Sequence, residues 1–163
     1  MSSSYEPRLN YYGAAPALFG QLTKLSQSIH ASGLEPALLS LVEIRASQIN
    51  GCAFCLDMHS KEAKIHGERE LRLYAVPVWR ESQLFTDRER AALALTEAVT
   101  KVAEHGVSDD VYAEAERHFS HPELAQLVLA IGVINTWNRI AISFRSVPGS
   151  MDKLLGLDKA GLK

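Results

Sequence analysis

The sequence predicts an all-α protein, a helical bundle of about six or seven helices. Apolar residues recur at the spacing of a helix over most of the chain, and prolines and glycines stand at the ends of these stretches. No stretch has the alternating pattern of a convincing strand. The 163 residues are 47% hydrophobic, which is enough to build a core without disulfides or a structural metal. We therefore expect a single domain over residues 1–163.

The two ends of the chain are predicted to be less regular than its middle. Two prolines and a glycine interrupt residues 1–16, so we expect an irregular arm that packs on another part of the protein. A Pro-Gly pair ends the last apolar stretch, and residues 147–163 are predicted to form a polar tail.

Four helices are predicted in the first half of the chain, over residues 17–32, 36–50, 52–65 and 68–74. An apolar stripe in the first of them closes at Gly33. Pro36 suits the first turn of the second helix, which ends at Gly51. Gly67 ends the third, and the fourth leads into a connection that contains Pro77.

Three further helices are predicted in the second half. Thr86 begins a capping box and opens a long helix that runs to His105, with Val102 among its inward residues. Ser108 caps the next helix. The last long helix begins near Pro122 and is strongly apolar.

Charge and hydropathy exclude several classes of partner. The net charge of -2 and the pI near 6.3 give no reason to expect nucleic acid or an anionic membrane. No run approaches the roughly 18 consecutive apolar residues of a membrane span. The first residues lack the basic start and apolar run of a signal peptide. We therefore expect a cytoplasmic protein with no nucleic-acid and no membrane partner.

The two cysteines, Cys52 and Cys55, stand three residues apart in the middle of the chain. A disulfide between them closes too small a loop to stabilise the fold. Cys52 follows Asn50 and Gly51 at the start of a predicted helix, where free backbone N–H groups and the helix dipole favour a thiolate. A Cys-X-X-Cys pair at a helix start also suits reversible disulfide formation.

His59 extends this pair into a larger constellation. At about 100° per residue, Cys52 and His59 differ by only about 20°, so the imidazole can reach a sulfur and handle protons near neutral pH. Glu43 lies in an apolar helix and needs a polar partner if it is buried. We expect a bend at Gly51 to bring Glu43 to the His59 side, directly or through a water.

With these residues the sequence resembles the alkylhydroperoxidase D-like family of the carboxymuconolactone decarboxylase superfamily. The resemblance centres on residues 43–59 and spans roughly residues 36–145. It implies an all-helical fold that assembles as trimers or hexamers, and a thiol peroxidase cycle on organic or hydrogen peroxides without metal, flavin or haem. It also implies re-reduction by a dithiol partner, which in some members is a lipoylated protein.

The resemblance assigns a role to each candidate catalytic residue. Cys55 attacks the peroxide and becomes a sulfenic acid, and Cys52 converts it to a disulfide. His59 and a glutamate form the proton relay. In better-known members this glutamate stands twelve positions before the first cysteine, where this chain has Ser40. Glu43 lies one helical turn later and is expected to substitute for it.

Two alternatives to a peroxidase remain open from the sequence. The cysteines and His59 suit zinc, with His66 or Glu43 as a fourth ligand. The fold could instead serve as a redox-sensing or binding module that does not turn over efficiently.

Other polar residues have simpler interpretations. Asn135, Asn138 and Arg139 form a polar cluster in the last long helix, which is either an ion-pair site with a partner such as Glu43 or a subunit contact. His30 lies near a helix end, where an imidazole needs no functional explanation.

Overall fold

The computed structural model describes residues 5–162, and these residues form helices joined by short connections. The α-helices are α1 (Tyr11–Ala14), α2 (Pro16–His30), α3 (Pro36–Asn50), α4 (Ala53–Ile65), α5 (Glu70–Ala75), α6 (Asp87–Thr100), α7 (Val102–His105), α8 (Asp109–His118), α9 (His121–Phe144) and α10 (Asp152–Leu155). Two 3₁₀ helices span Val76–Val78 and Leu157–Ala160. No strand occurs within residues 5–162, and the predicted all-α class is confirmed.

The centre of the bundle is α3, which packs against α4, α6 and α9. It is buried on several faces, because its apolar residues are not confined to one stripe. Leu39, Val42 and Ile44 are almost completely shielded from solvent. Glu43 lies between Val42 and Ile44 on this helix, and its side chain is 13% exposed.

The longest helix, α9, has 24 residues and is unusually apolar. Within the described part of the chain, it is the one helix whose length and composition would allow it to cross a membrane. Its buried residues instead pack in the core, where α9 contacts α2, α3 and α6. A central bundle helix needs the same apolar composition.

Several predicted helix boundaries are present in the structure. Pro36 starts α3, and Gly51 ends it with a left-handed φ of 68°, which favours glycine. Thr86 forms a capping box with Glu89 at the start of α6, and Ser108 caps α8. These boundaries depend on local backbone chemistry, which the sequence carries directly.

The helix predicted from Thr86 to His105 is present only as far as Thr100 as one continuous helix. It ends at Thr100, and a bend at Lys101 separates it from the single turn of α7. Thr100 is buried and accepts a hydrogen bond from Asn135, whereas Val102 beyond the bend is exposed. The chain leaves the core at this point, so Val102 does not face inward.

The N-terminal arm packs on the end of α9. The first four residues of the predicted arm lie outside the described part of the chain. The backbone N–H of Arg8 donates to the carbonyl of Phe144, and the ring of Tyr11 stacks on the ring of Phe144 at 5.6 Å. Residues 11–14 form a helical turn capped by Asn10, so this part of the arm is regular.

The C-terminal tail packs on α4. The 3₁₀ helix Leu157–Ala160 contacts α4, and Lys61 anchors the segment through Asp152, with Nζ 2.8 Å from Oδ2. Lys61 also pairs with Asp57 on its own helix. Two carboxylates therefore neutralise this nearly buried ammonium group. The tail contains one short α-helix as well, and a single domain over residues 1–163 stays a prediction.

Candidate active site

The two cysteines lie at the start of α4, directly after the bend at Gly51. Cys52 is the N-cap residue, and its Sγ accepts a hydrogen bond from the backbone N–H of Cys55 at 3.3 Å. Both are free cysteines, only 2% and 1% exposed, and their Sγ atoms are 2.8 Å apart. Since a disulfide bond is about 2.05 Å long, a small shift brings the sulfurs to bonding distance.

The two thiols differ in acidity because they share a proton. The hydrogen bond from the Cys55 side chain lowers the pKa of Cys52 to about 7, with help from the Cys55 backbone N–H and from Asn138, although burial opposes this. The hydrogen bond with Cys52 and burial raise the pKa of Cys55. As the pH rises through 7, the pair therefore loses one of its two protons, and the negative charge rests on Cys52.

His59 lies one helical turn after Cys55, with its side chain 9% exposed. Its Nδ1 is 2.9 Å from Glu62 Oε2 and 3.3 Å from Glu43 Oε2. Burial lowers the pKa of His59, but the charge of Glu43 and the hydrogen bond with Glu62 outweigh it and raise the pKa to about 8. An imidazolium is therefore favoured at this buried position near neutral pH.

The structure thus brings all four predicted site residues together. The bend at Gly51 separates α3 from α4, which pack side by side, and Glu43 reaches His59 directly across them. Because Nδ1 of His59 faces the carboxylates, a proton on that nitrogen is held by them, while Nε2 has no hydrogen-bond partner among the described residues. The roles of Cys52 and Cys55 stay predictions at this point.

Two residues of this cluster were not predicted from the sequence. His30 Nε2 is 2.9 Å from Glu43 Oε1, and the hydrogen bond with Glu43 raises the pKa of His30. Glu62 contacts His59 from three positions later on α4, a helical spacing that could have revealed it. His30 lies on α2, and no local spacing links it to Glu43.

Asn138 of α9 binds the last turn of α3, directly before the bend at Gly51. It is fully buried, accepts a hydrogen bond from Asn50 Nδ2 at 2.8 Å and donates one to Ser47 Oγ at 3.0 Å. The ion pair considered between the polar cluster of α9 and Glu43 is wrong, because Glu43 is held by two histidines and Arg139 bonds to Asn135 on its own helix. A subunit contact at Arg139 stays a prediction.

A cavity of about 420 Å³ opens beside the cysteines. Its wall is mainly apolar and includes Tyr11, Tyr12, Phe54, Met58 and Trp137. Cys55 and His59 line one side, together with His30, Glu43 and Glu62. Cys52 does not appear among the described residues that line it. A small molecule in the cavity would therefore meet Cys55 first.

The alternative of a zinc site has little support in this geometry. Two thiolates on one tetrahedral zinc lie about 3.8 Å apart, since each Zn–S bond is about 2.3 Å, whereas these sulfurs are 2.8 Å apart. Within residues 5–162, no group of three or more His, Cys, Asp or Glu side chains is arranged to hold a metal ion. His66 is exposed at the end of α4.

Comparison with known proteins supports the resemblance stated above. A sequence model of the carboxymuconolactone decarboxylase family matches residues 16–98. The uncharacterized protein YdfG of Bacillus subtilis is 37% identical over 136 residues, which cover 83% of this chain and 92% of YdfG.

Solved structures give the same result for the fold. One is a protein of unknown function from Agrobacterium tumefaciens, provisionally described as the antioxidant defence protein AhpD. It is 46% identical, with a TM-score of 0.85 over 88% of this chain and 98% of that one. The debrominase Bmp8 shares the fold at 21% identity, with a TM-score of 0.78 over 91% of this chain and 79% of Bmp8.

Proposed function

We propose, from the premise that the chain belongs to the carboxymuconolactone decarboxylase family, that it is a thiol-dependent peroxidase. Its substrates would be organic hydroperoxides or hydrogen peroxide. One observation carries the proposal: two sulfurs in contact lie beside a cavity, next to a histidine that two carboxylates keep protonated. This arrangement supplies a nucleophile, a second thiol and a proton donor.

The first step is the attack of Cys55 on the peroxide. Its proton moves to Cys52 across the 2.8 Å contact, and the Cys55 thiolate attacks the outer oxygen of the peroxide. The O–O bond breaks, Cys55 becomes a sulfenic acid, and the leaving alkoxide takes a proton from His59. Cys55 carries this role, rather than the more acidic Cys52, because Cys55 lines the cavity.

The second step closes the disulfide. The sulfur of Cys52 attacks the sulfenic sulfur of Cys55, and the hydroxide that leaves combines with the proton of Cys52 to form water. The peroxide has then been reduced to an alcohol and water, and the two cysteines have been oxidised to a disulfide. A dithiol returns the pair to its reduced form by two thiol–disulfide exchanges. No metal, flavin or haem enters this cycle.

The surroundings of the site support this chemistry. The apolar wall of the cavity suits a hydroperoxide that carries an apolar group. A relative that is 46% identical is provisionally described as an antioxidant defence protein, which agrees with a peroxide substrate. A lipoylated protein as the reductant, a trimeric or hexameric assembly and a cytoplasmic location complete the proposal.

The proposal is tested by oxidising the pre-reduced protein with one equivalent of cumene hydroperoxide. We expect the loss of two free thiols per chain and then continuous turnover with dihydrolipoamide as the reductant. Cys55→Ser is the control and should leave the peroxide unconsumed. A redox sensor would oxidise once without efficient cycling, and a zinc protein would contain about one metal per chain by elemental analysis. Either result would contradict the proposal.

A further inference from the structure

We propose that Tyr11 is a further catalytic residue of this site, and that its phenol O–H donates a hydrogen bond to the peroxide oxygen on which negative charge develops. The inference rests on the proposed peroxidase function and deepens it. Tyr11 belongs to α1 in the N-terminal arm, so the arm would complete the active site. The phenol keeps its proton throughout, and the proton balance of the reaction is unchanged.

Cleavage of the O–O bond places negative charge on the oxygen that leaves as the alkoxide. The wall of the cavity is mainly apolar, so this charge would be poorly solvated there. His59 supplies one N–H, whereas the ionised carboxylates of Glu43 and Glu62 beside it only accept hydrogen bonds. A second donor at the leaving oxygen lowers the barrier, because its interaction strengthens as the charge develops.

The tyrosine and tryptophan residues with a polar hydrogen on the cavity wall are Tyr11, Tyr12 and Trp137. Trp137 Nε1 donates to Ser26 Oγ at 2.9 Å. The hydroxyl of Tyr12 donates to Thr23 Oγ1 at 2.7 Å, because Thr23 gives its own proton to a backbone carbonyl of α2.

The hydroxyl of Tyr11 is less firmly engaged than these two donors. It interacts with the side chain of Ser146, but among the described residues no hydrogen bond as short as that of Tyr12 holds it. The Tyr11 O–H can therefore turn toward a molecule in the cavity.

The packing of the arm holds the ring of Tyr11 at the cavity. Its centroid is 4.8 Å from that of Phe19 on α2 and 5.6 Å from that of Phe144 at the end of α9. The backbone N–H and the guanidinium of Arg8 donate to the carbonyls of Phe144 and Ser143, at 2.9 and 3.1 Å. Tyr11 is thus anchored against two long helices, and a donor fixed in this way needs little reorganisation during the reaction.

The surroundings of Tyr11 keep its phenol neutral. Burial raises the pKa of Tyr11 above its ordinary value, and this outweighs the effect of Ser146, which lowers it. The negative charge that Cys55 and Cys52 can carry raises the pKa further, so the hydroxyl lies within electrostatic reach of both sulfurs. A neutral phenol is a hydrogen-bond donor, so Tyr11 can donate over the pH range in which Cys52 ionises.

Tyr11→Phe tests the proposal, because it keeps the ring and its packing and removes only the hydroxyl. We expect the rate of oxidation of the reduced protein by cumene hydroperoxide, measured by stopped flow, to fall about 10- to 100-fold. The matched control is Tyr74→Phe, which removes an exposed hydroxyl that donates to Glu70 at 3.0 Å and should not change the rate.

Two further measurements separate hydrogen bonding from a structural role. Hydrogen peroxide has the same O–O bond without a bulky group, so its rate in Tyr11→Phe should fall by a similar factor. Alkylation of Cys55 by iodoacetamide, located by mass spectrometry, produces no oxygen anion and should stay within about twofold of the wild-type rate.

Three results would overturn the proposal. One is a wild-type rate with both peroxides in Tyr11→Phe. Another is a loss confined to cumene hydroperoxide, which indicates that the hydroxyl only shapes the cavity. The third is an equal loss with iodoacetamide, which indicates that Tyr11 acts on the thiol and not on the peroxide. A wild type that consumes no peroxide would overturn the proposed peroxidase function itself, and the role of Tyr11 with it, so the wild type alone distinguishes the two failures.

Discussion

Glu43 and His59 meet across the bend between α3 and α4, with Glu43 Oε2 3.3 Å from His59 Nδ1. The carboxylate contributes a negative charge beside a nearly buried ring, and this charge is the largest of the effects that raise the pKa of His59. The contact therefore favours the protonated form of His59.

Replacing Glu43 should consequently weaken the reaction. Glu43→Gln removes the charge and lowers the pKa of His59, so we expect kcat/KM for cumene hydroperoxide at pH 7.5 to fall roughly 10- to 100-fold. Stopped-flow oxidation of the reduced protein gives the rate. Glu116→Gln, at an exposed carboxylate of α8, is the control. An unchanged rate in Glu43→Gln would remove Glu43 from the proposed relay.

The reaction should have a bell-shaped pH dependence. The pKa of Cys52 is lowered to about 7, so the thiolate of the pair, and with it the rate, increases as the pH rises through 7. The pKa of His59 is raised to about 8, so its donating form is lost as the pH rises through 8. The profile of kcat/KM should lose its alkaline limb in His59→Gln. A wild-type rate that still rises above pH 9 would contradict this assignment.

The two cysteines should differ in their products with peroxide. Cys52→Ser should still form one sulfenic acid per chain, because Cys55 faces the cavity, and dimedone should trap it. Cys55→Ser should react at least 100-fold more slowly than Cys52→Ser. Mass spectrometry after dimedone treatment identifies the modified residue. Because Cys52 has the lower pKa, the main alternative is that Cys52 attacks the peroxide and Cys55 closes the disulfide. A sulfenic acid on Cys52 would establish this alternative.

Filling the cavity should distinguish large from small peroxides. Met58 lines the cavity on α4, three residues after Cys55. Met58→Trp should raise KM for cumene hydroperoxide about tenfold, a loss equivalent to roughly 1.4 kcal/mol of binding. The rate with hydrogen peroxide should remain within about twofold of wild type. Met58→Leu conserves the volume and is the control. An equal loss of activity with cumene hydroperoxide and with hydrogen peroxide would show that the aromatic group of cumene hydroperoxide does not occupy this cavity.

Asn138 should matter for stability. Asn138→Ala leaves Asn50 and Ser47 without their buried partner and opens a small void. We expect the free energy of unfolding to fall by about 2–4 kcal/mol, as measured by urea denaturation. Thr136→Ala, at an exposed position of the same helix, should change it by less than about 0.5 kcal/mol. A similar small change in Asn138→Ala would mean that water replaces the lost side chain.

The parts of the site that the sequence predicts are those with a local signal. Cys52, Cys55 and His59 share one helical face by spacing alone, and Gly51 signals the bend that brings Glu43 to them. The ends of α3 follow from a proline and a glycine for the same reason. In each case, the relevant residues are neighbours along the chain or mark a helix end.

The features that the sequence does not predict depend on packing between helices. His30 meets Glu43 because the end of α2 lies beside α3, a relationship that no pattern within either helix records. The bend at Lys101 could not be predicted, because no proline or glycine stands beside it in the sequence. From the sequence, Asn138 is interpreted as part of an ion-pair site or a subunit contact, and its burial follows only from the packing of α9 against the end of α3.

The burial of the two sulfurs restricts the kind of molecule that can regenerate them. With 2% and 1% exposure, Cys52 and Cys55 lie too deep for a thiol fixed on the rigid surface of another folded protein. In the proposed cycle, a reductant would have to bring its dithiol in through the cavity that Cys55 lines, as a dithiol on a long flexible arm or a freely diffusing dithiol can. In this cycle, the same shielding would keep the reduced pair from forming mixed disulfides with bulky thiols, so steric access would select the electron donor.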